Sequence, residues 1–397
     1  MTRESFLVFG SPTIGDAEIA EVVDTLRSGW IGTGPKVARF ENMLAGYVGV
    51  DHARCMSSCT AALILALKVL GLGAGDEVLV PSMTFVASAN AAEHAGATPV
   101  LVDSEPDTGL IDLDAAAAAV TPRTRAVMPV HLAGRPCDMD RLQAFAQSHG
   151  LAVIEDAAHA IGAEWRGRRI GSFGNLTAFS FYVTKNITTV EGGALMTDDR
   201  DVAERVERLA LHGLSLGAWR RFSDEGFRHY EVVEPGFKFN MTDVQAAIGL
   251  AQLPRLDAWI DRRAELWERY DRLLADLPLR TPPAPEADTR HARHLYQVLL
   301  EPRAPLTRDE LLQGLTDRRI GAGVHYRAVH LHPYYRDRYD LDPRSLPVAS
   351  LISDQTISLP LSQGLSDSDQ DDVVAALRAL LRRPGRPRAQ APQGTGA

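Results

Sequence analysis

Ala152-Val153-Ile154-Glu155-Asp156-Ala157-Ala158-His159 is a short apolar run that closes on two carboxylates and a turn of small residues. A run of this length, bounded by a turn, reads as a strand buried on both faces. Comparable runs stand on either side of it, at residues 53–57, 77–80, 99–102, 126–130, 178–182 and 194–197, and segments of helical pattern separate them. Alternation of this kind predicts an α/β domain: a mostly parallel seven-stranded sheet covered by helices on both faces. In open sheets ligands sit at the carboxyl ends of the strands, so the residues just after each run are where chemistry is expected.

Beyond the sheet the pattern changes. Residues 243–277 are helical with a kink expected at Pro254, and they carry the chain out of a large domain with an N-terminal arm (1–255) into a smaller C-terminal α+β domain (256–383). The smaller domain is expected to hold a Pro-rich connection at 281–285, a strand at 294–300, a helix at 308–318, a short strand at 323–326 and a closing helix at 366–382. Residues 384–397, rich in Pro, Gly, Gln and Arg, read as a disordered tail. The alanine run 115–119 reads as helix.

Bulk properties narrow the class. The formal charge of -9 argues against a nucleic-acid partner. No basic segment leads into an apolar run, and no stretch approaches the roughly 18 apolar residues of a membrane span, so a cytoplasmic protein with small-molecule partners and no membrane partner is expected. Cys55, Cys59 and Cys137 lack paired spacing, which argues against a disulfide framework or a zinc knuckle. The 42 basic residues include four lysines, Lys36, Lys68, Lys185 and Lys238, the rest being arginine. Where arginine serves as the general cation, a lysine is notable for a primary amine that can lose its proton and condense with an aldehyde.

Position separates the four. Lys185 ends the run Ala178-Phe179-Ser180-Phe181-Tyr182-Val183-Thr184-Lys185, one strand over from Asp156 and at the same sheet edge. Lys36, Lys68 and Lys238 fall in a loop, on an exposed helix face and in an aromatic loop. A carboxylate such as Asp156 at the inner end of a buried strand needs a positive partner. A protonated pyridine nitrogen fits; so does an internal salt bridge, or a metal shared with His159. Ser57-Ser58-Cys59-Thr60 opens an apolar helix, where small hydroxylated residues cap free amides and the same end attracts anions. Phe85, after the 77–80 run, fits either a ring-stacking role or the core.

Taken together, SGWIGTGPK, PSMTF, EDAAHAIG, TKNITTVEGG, EPGFKFN and GVHYRAVH resemble the fold type I aminotransferases of the DegT/DnrJ/EryC1/StrS group, over nearly the whole chain. Within that group the likeness is greatest to the transaminase that makes UDP-4-amino-4-deoxy-arabinose. The resemblance implies pyridoxal 5'-phosphate as cofactor, held by Lys185 as a Schiff base. It implies Cys59, Thr60 and Ser180 at the phosphate, Phe85 on the ring, Asp156 at the ring nitrogen and His159 near the ring oxygen. Asn240 would reach the phosphate of a neighbouring subunit, so a homodimer with shared active sites is implied. Trp30 to Thr33, His325 and Tyr326 would border the sugar.

Two departures matter for specificity. Cys59 stands where the group has Gly or Ala, and Phe85 replaces the tryptophan of the arabinose enzyme. The implied reaction moves an amino group from L-glutamate to a keto sugar, at C4 of a nucleotide-linked hexose or pentose. Alternatives are an aminocyclitol or a nucleoside-antibiotic keto sugar, in antibiotic or other amino-sugar biosynthesis, or a cofactor-binding regulatory protein without turnover. Relatives that use the aminated cofactor to remove a hydroxyl carry histidine in place of the lysine, so Lys185 argues for amine transfer.

Overall fold

The computed structural model describes residues 3–215 and 229–382. All seven expected runs form strands: β1 (His52–Met56), β2 (Glu77–Pro81), β3 (Thr98–Val102), β4 (Thr124–Val127), β5 (Ala152–Asp156), β8 (Leu176–Ser180) and β9 (Gly193–Thr197). Between β5 and β8 lie two-residue strands β6 (Glu164–Trp165) and β7 (Arg168–Arg169), which form a ribbon with β11 (Thr289–Arg290). The large sheet has the order β1-β9-β8-β5-β4-β2-β3. Pairs β3–β2, β2–β4, β4–β5 and β5–β8 are parallel, and β9 runs antiparallel to both its neighbours. Asp156 pairs with Ala178 across β5 and β8, so the ends of the Asp156 and Lys185 strands are adjacent, as the sequence suggests.

Helix α3 (Cys59–Val69) lies against β8, β9 and β5. Ser58 caps it, its hydroxyl accepting from the Ala61 amide at 3.1 Å. The strand beside its start carries Gly193 because a Cβ there would stand 2.4 Å from the Cys59 nitrogen. Helix α3 thus begins directly against the sheet edge.

Pro254 acts as expected. Helix α8 (Asp243–Gln252) ends in a 3-10 turn at Leu253–Arg255, and α9 (Leu256–Leu274) resumes at once. A second antiparallel sheet follows, with β12 (Tyr296–Leu300) between β10 (Leu279–Arg280) and β13 (Thr356–Leu359). It shares a separate apolar core with α9, α10 (Arg308–Thr316) and α13 (Asp367–Leu381), built from Tyr270, Val298, Ile357 and Leu377 among others. The 115–119 run falls within and just after helix α5 (Leu113–Ala118).

The strand expected at 323–326 does not form. Gly323 exchanges two backbone hydrogen bonds with Ser358. The chain then leaves the sheet, and the His325 carbonyl accepts instead from the Gln297 side chain. The tail 384–397 lies outside the described residues. Among those described, no helix is long and apolar enough to cross a membrane.

Arg263 on α9 holds the segment that leads into the small sheet. Its guanidinium is 2% exposed and donates to the carbonyls of Arg293, His294 and Leu361 and to Gln363; burial alone depresses its pKa to about 10. Arg263→Met leaves three buried carbonyls short of donors. Denaturant unfolding is expected to show a loss of roughly 3 kcal/mol, and an unchanged midpoint would remove this anchoring role.

Candidate active site

A cavity of about 400 Å³ opens at the carboxyl ends of β5 and β8, within the usual range of about 300–1,000 Å³ for small-molecule sites. Its walls include Cys59, Thr60, Phe85, Asp156, His159, Ser180, Lys185, His325 and Tyr326, nine of the residues expected from sequence. They come from four sources: the start of α3, the segment after β2, the ends of β5 and β8, and the segment after Gly323.

Asp156 is fixed at the floor. Its Oδ2 accepts from the Ser88 hydroxyl at 2.7 Å, and its Oδ1 from the Ala158 amide at 3.1 Å. Thr84 supports Ser88 at 2.9 Å. Burial raises the Asp156 pKa, and these donors and the Lys185 charge work against the rise. Ser88 was invisible as a site residue in the sequence because it is the second residue of α4 (Ala87–Ala95), in an alanine-rich stretch.

Lysine chemistry also sorts itself. Lys36 pairs with Glu21 and Asp24, Lys68 donates to the Ala95 carbonyl, and Lys238 donates to Asn240. Lys36 belongs to helix α2 (Pro35–Val48) and not to a loop. Lys185 alone of the four has no side-chain hydrogen bond or ion pair among the described residues. Burial lowers its pKa to about 8, with Cys59 and Asp156 opposing. A substantial fraction of neutral amine is therefore available near neutral pH.

The opposite wall is polar and uncharged. His159 Nδ1 accepts from the Ala133 amide at 3.2 Å, so the ring proton lies on Nε2, which stands 2.9 Å from the Tyr326 oxygen. His294, which sequence reading missed, also lines the cavity. Asn186 gives its amide N–H to the Ala292 carbonyl at 2.7 Å, which turns its oxygen to His294 Nδ1 at 3.2 Å. Burial holds His159 and His294 well below the usual histidine range and His325 at about 4, and pushes the Tyr326 phenol up. Phe85 is 55% exposed, its ring centroid 5.5 Å from that of Tyr326.

Three expected residues lie elsewhere. Asn240 donates to the Thr33 hydroxyl at 2.7 Å, and both line a second cavity of about 400 Å³ beside Arg54 and Arg208. The Trp30 indole donates to the Thr33 carbonyl at 3.2 Å. No group of three or more His, Cys, Asp or Glu suited to a metal ion occurs among the described residues.

Residues 12–378 match the DegT/DnrJ/EryC1/StrS aminotransferase family. The chain belongs to that family. It is 48% identical over 382 residues to the spore coat polysaccharide biosynthesis protein SpsC of Bacillus subtilis, covering 96% of this chain and 98% of SpsC. Among solved structures it is similar to Spr1654 of Streptococcus pneumoniae in its PMP-form, with TM-score 0.88 and 36% identity over 95% of this chain and 99% of that one; Spr1654 is also known in a PLP-form. It is likewise similar to DesV of S. venezuelae in complex with a ketimine intermediate, with TM-score 0.83 and 39% identity over 92% and 95% of the two chains.

The aminotransferase therefore uses pyridoxal phosphate, and its cavity suits that group. An uncommitted lysine of lowered pKa faces a buried carboxylate that can hold a pyridinium, and the amide-rich start of α3 lies beside them for a phosphate. The rate at which apo-protein captures pyridoxal phosphate should rise with pH and level off above about 8. A rate that keeps climbing through the range of an ordinary lysine would contradict the lowered pKa of Lys185.

Proposed function

We propose that this aminotransferase moves an amino group from L-glutamate to the ketone of a nucleotide-linked sugar, at C4 of a hexose or pentose, in the cytoplasm and as a homodimer with shared active sites. The observation that carries the acceptor class is the wall of neutral hydrogen-bonding groups. His294, His325 and Tyr326 offer donors and acceptors without net charge, which suits a hydroxyl-rich ring better than a second carboxylate. The names of two relatives point the same way, one a polysaccharide biosynthesis protein and the other described as a sugar aminotransferase. L-glutamate as donor and the nucleotide rest on the family resemblance.

Bound pyridoxal phosphate supplies an electrophilic carbon and a ring that accepts electrons. The protein's own groups do the rest. Asp156, anchored by Ser88 and the Ala158 amide, would hold a proton on the ring nitrogen. Lys185 Nζ would take the proton from the donor carbon and carry it across the intervening nitrogen, a transfer suited to an amine with pKa near operating pH. His159, neutral and with its Nε2 proton on Tyr326, keeps the Tyr326 hydroxyl fixed. Cys59 and Thr60 at the start of α3, with Ser180, would bind the phosphate. Phe85 and Tyr326 would cover the ring and keep water out.

Shared sites would explain the distance between the two groups of expected residues. In the single chain Trp30, Thr33 and Asn240 stand away from Lys185; across a two-fold axis they would complete the partner's cavity. Exposed Ile14, Ile31, Tyr182, Val190 and Tyr230 give this chain apolar surface to cover. The Arg220 and Arg221 pair, a candidate for the diphosphate, lies outside the described residues.

Two experiments test the reading. Protein converted to its aminated form with L-glutamate is offered a panel of nucleotide-linked keto sugars, and the visible absorbance of the lysine-bound cofactor should return with one of them. Return with 2-oxoglutarate and with none of the sugars would sink the acceptor class. Lys185→Ala and Asn240→Ala should each be impaired, while hybrid dimers of the two regain turnover because one cavity receives both native residues. Hybrids no better than their parents would argue against sharing.

A further inference from the structure

Glu155 and His131 are fully buried and take no part in the chemistry above. Neighbouring residues of a strand face opposite sides, so Glu155 points away from the cavity that Asp156 lines. Behind the sheet its carboxylate accepts three hydrogen bonds: from His131 Nε2 at 2.9 Å, Asn175 Nδ2 at 2.8 Å and the Thr177 hydroxyl at 3.1 Å. The imidazole is fully used as well. His131 Nδ1 accepts from the Cys137 amide at 3.0 Å, so the ring proton must sit on Nε2, facing Glu155.

This pair ties down a turn that touches the site at three points. The His131 amide donates to the Asp156 carbonyl at 3.1 Å, and the Asp156 amide donates to the Pro129 carbonyl at 2.9 Å. Two residues on, the Ala133 amide sets the tautomer of His159, and the Ala133 carbonyl accepts from the His294 amide at 3.0 Å. Ala133 (φ 58°) and Gly134 (φ 93°) are both left-handed, a conformation that persists in a non-glycine residue only when its anchors impose it. A Cβ on Gly134 would fall 2.8 Å from the His159 carbonyl, so the turn has no room to shift.

We propose that Glu155 and His131 form a positioning clasp: by fixing the 129–137 turn they set where Asp156 meets the cofactor ring nitrogen and which tautomer His159 presents to Tyr326. Buried polar pairs behind a site commonly act in this way, through the groups that touch the ligand. The clasp depends on polarity and not merely on bulk, and this allows it to be separated from packing.

His131→Gln and Glu155→Gln make the separation in the holoenzyme. Glutamine at 131 offers a carbonyl to the Cys137 amide and an NH2 to Glu155, so the polarity is kept. Glutamine at 155 can accept on one side only: its NH2 must face either the His131 Nε2 proton or the Asn175 NH2 and Thr177 hydroxyl, so one half of the clasp loses its acceptor. The readout is the pH midpoint of the visible absorbance of lysine-bound pyridoxal phosphate, which responds to the groups bonded to the ring. Glu155→Gln should move it by about one unit and weaken retention of the cofactor, and His131→Gln should leave both close to wild type. An unmoved midpoint in folded Glu155→Gln, even with lowered thermal stability, overturns the clasp, as does an equal displacement in both variants. If Glu155→Gln does not fold, Asn175→Ala removes one of the three donors from the carboxylate. It must shift the midpoint in the same direction by less, and no shift there overturns the proposal equally.

Discussion

A carboxylate at the end of a central, buried strand is expensive unless charge and hydrogen bonds answer it, and Asp156 is answered only in part by the protein itself. Ser88 and the Ala158 amide supply two donors, and the nearest cation, Lys185, is itself weakened by burial. What remains is a demand for one more positive group inside the cavity, and a pyridinium meets it. The demand reaches outward. Helix α4 must deliver Ser88, β8 must stop one strand away to bring Lys185 round, and the 129–137 turn must bond both sides of the Asp156 peptide.

The same low-polarity environment acts on Lys185, His159, His294, His325 and Tyr326, and in one direction. It favours neutral histidines, a neutral tyrosine and a partly neutral lysine. Hydrogen-bond direction, not charge, then decides what each group does. The Ala133 amide fixes His159, which fixes the Tyr326 oxygen; Asn186 fixes His294 through the Ala292 carbonyl. A site arranged in this way recognises a substrate by the placement of donors and acceptors, which is the kind of recognition a ring of hydroxyls requires.

Much of this was legible in sequence because it depends on local pattern. Seven buried runs separated by helical segments gave all seven strands, and the residue following each run located Asp156 and Lys185 on adjoining strands. Rarity of lysine in an arginine-rich chain added a second, independent signal for Lys185. The hidden part depends on tertiary contact. Ser88 lies among alanines, and His294 lies just ahead of β12 in the second sheet; only the packed molecule shows that one reaches Asp156 and the other lines its cavity. The 323–326 segment has strand composition, yet Gly323 spends its backbone bonds on Ser358 and Gln297 captures the next free carbonyl, so the chain turns into the cavity instead.

Trp30, Thr33 and Asn240 show a different limit. Their motifs are as specific as those around Lys185, and the chain does place them together: the Asn240 amide meets the Thr33 hydroxyl, and the Trp30 indole meets the Thr33 carbonyl. Helix α8 supplies the reason, since Asp243 at its start accepts from the Gly34 and Val37 amides at 2.9 and 3.0 Å and so locks the 30–34 loop to the segment carrying Asn240. A loop and a bridge residue locked this firmly form one unit. Fold and candidate site are thus linked through one helix: the start of α8 holds the 30–34 loop and Asn240 together beside the second cavity.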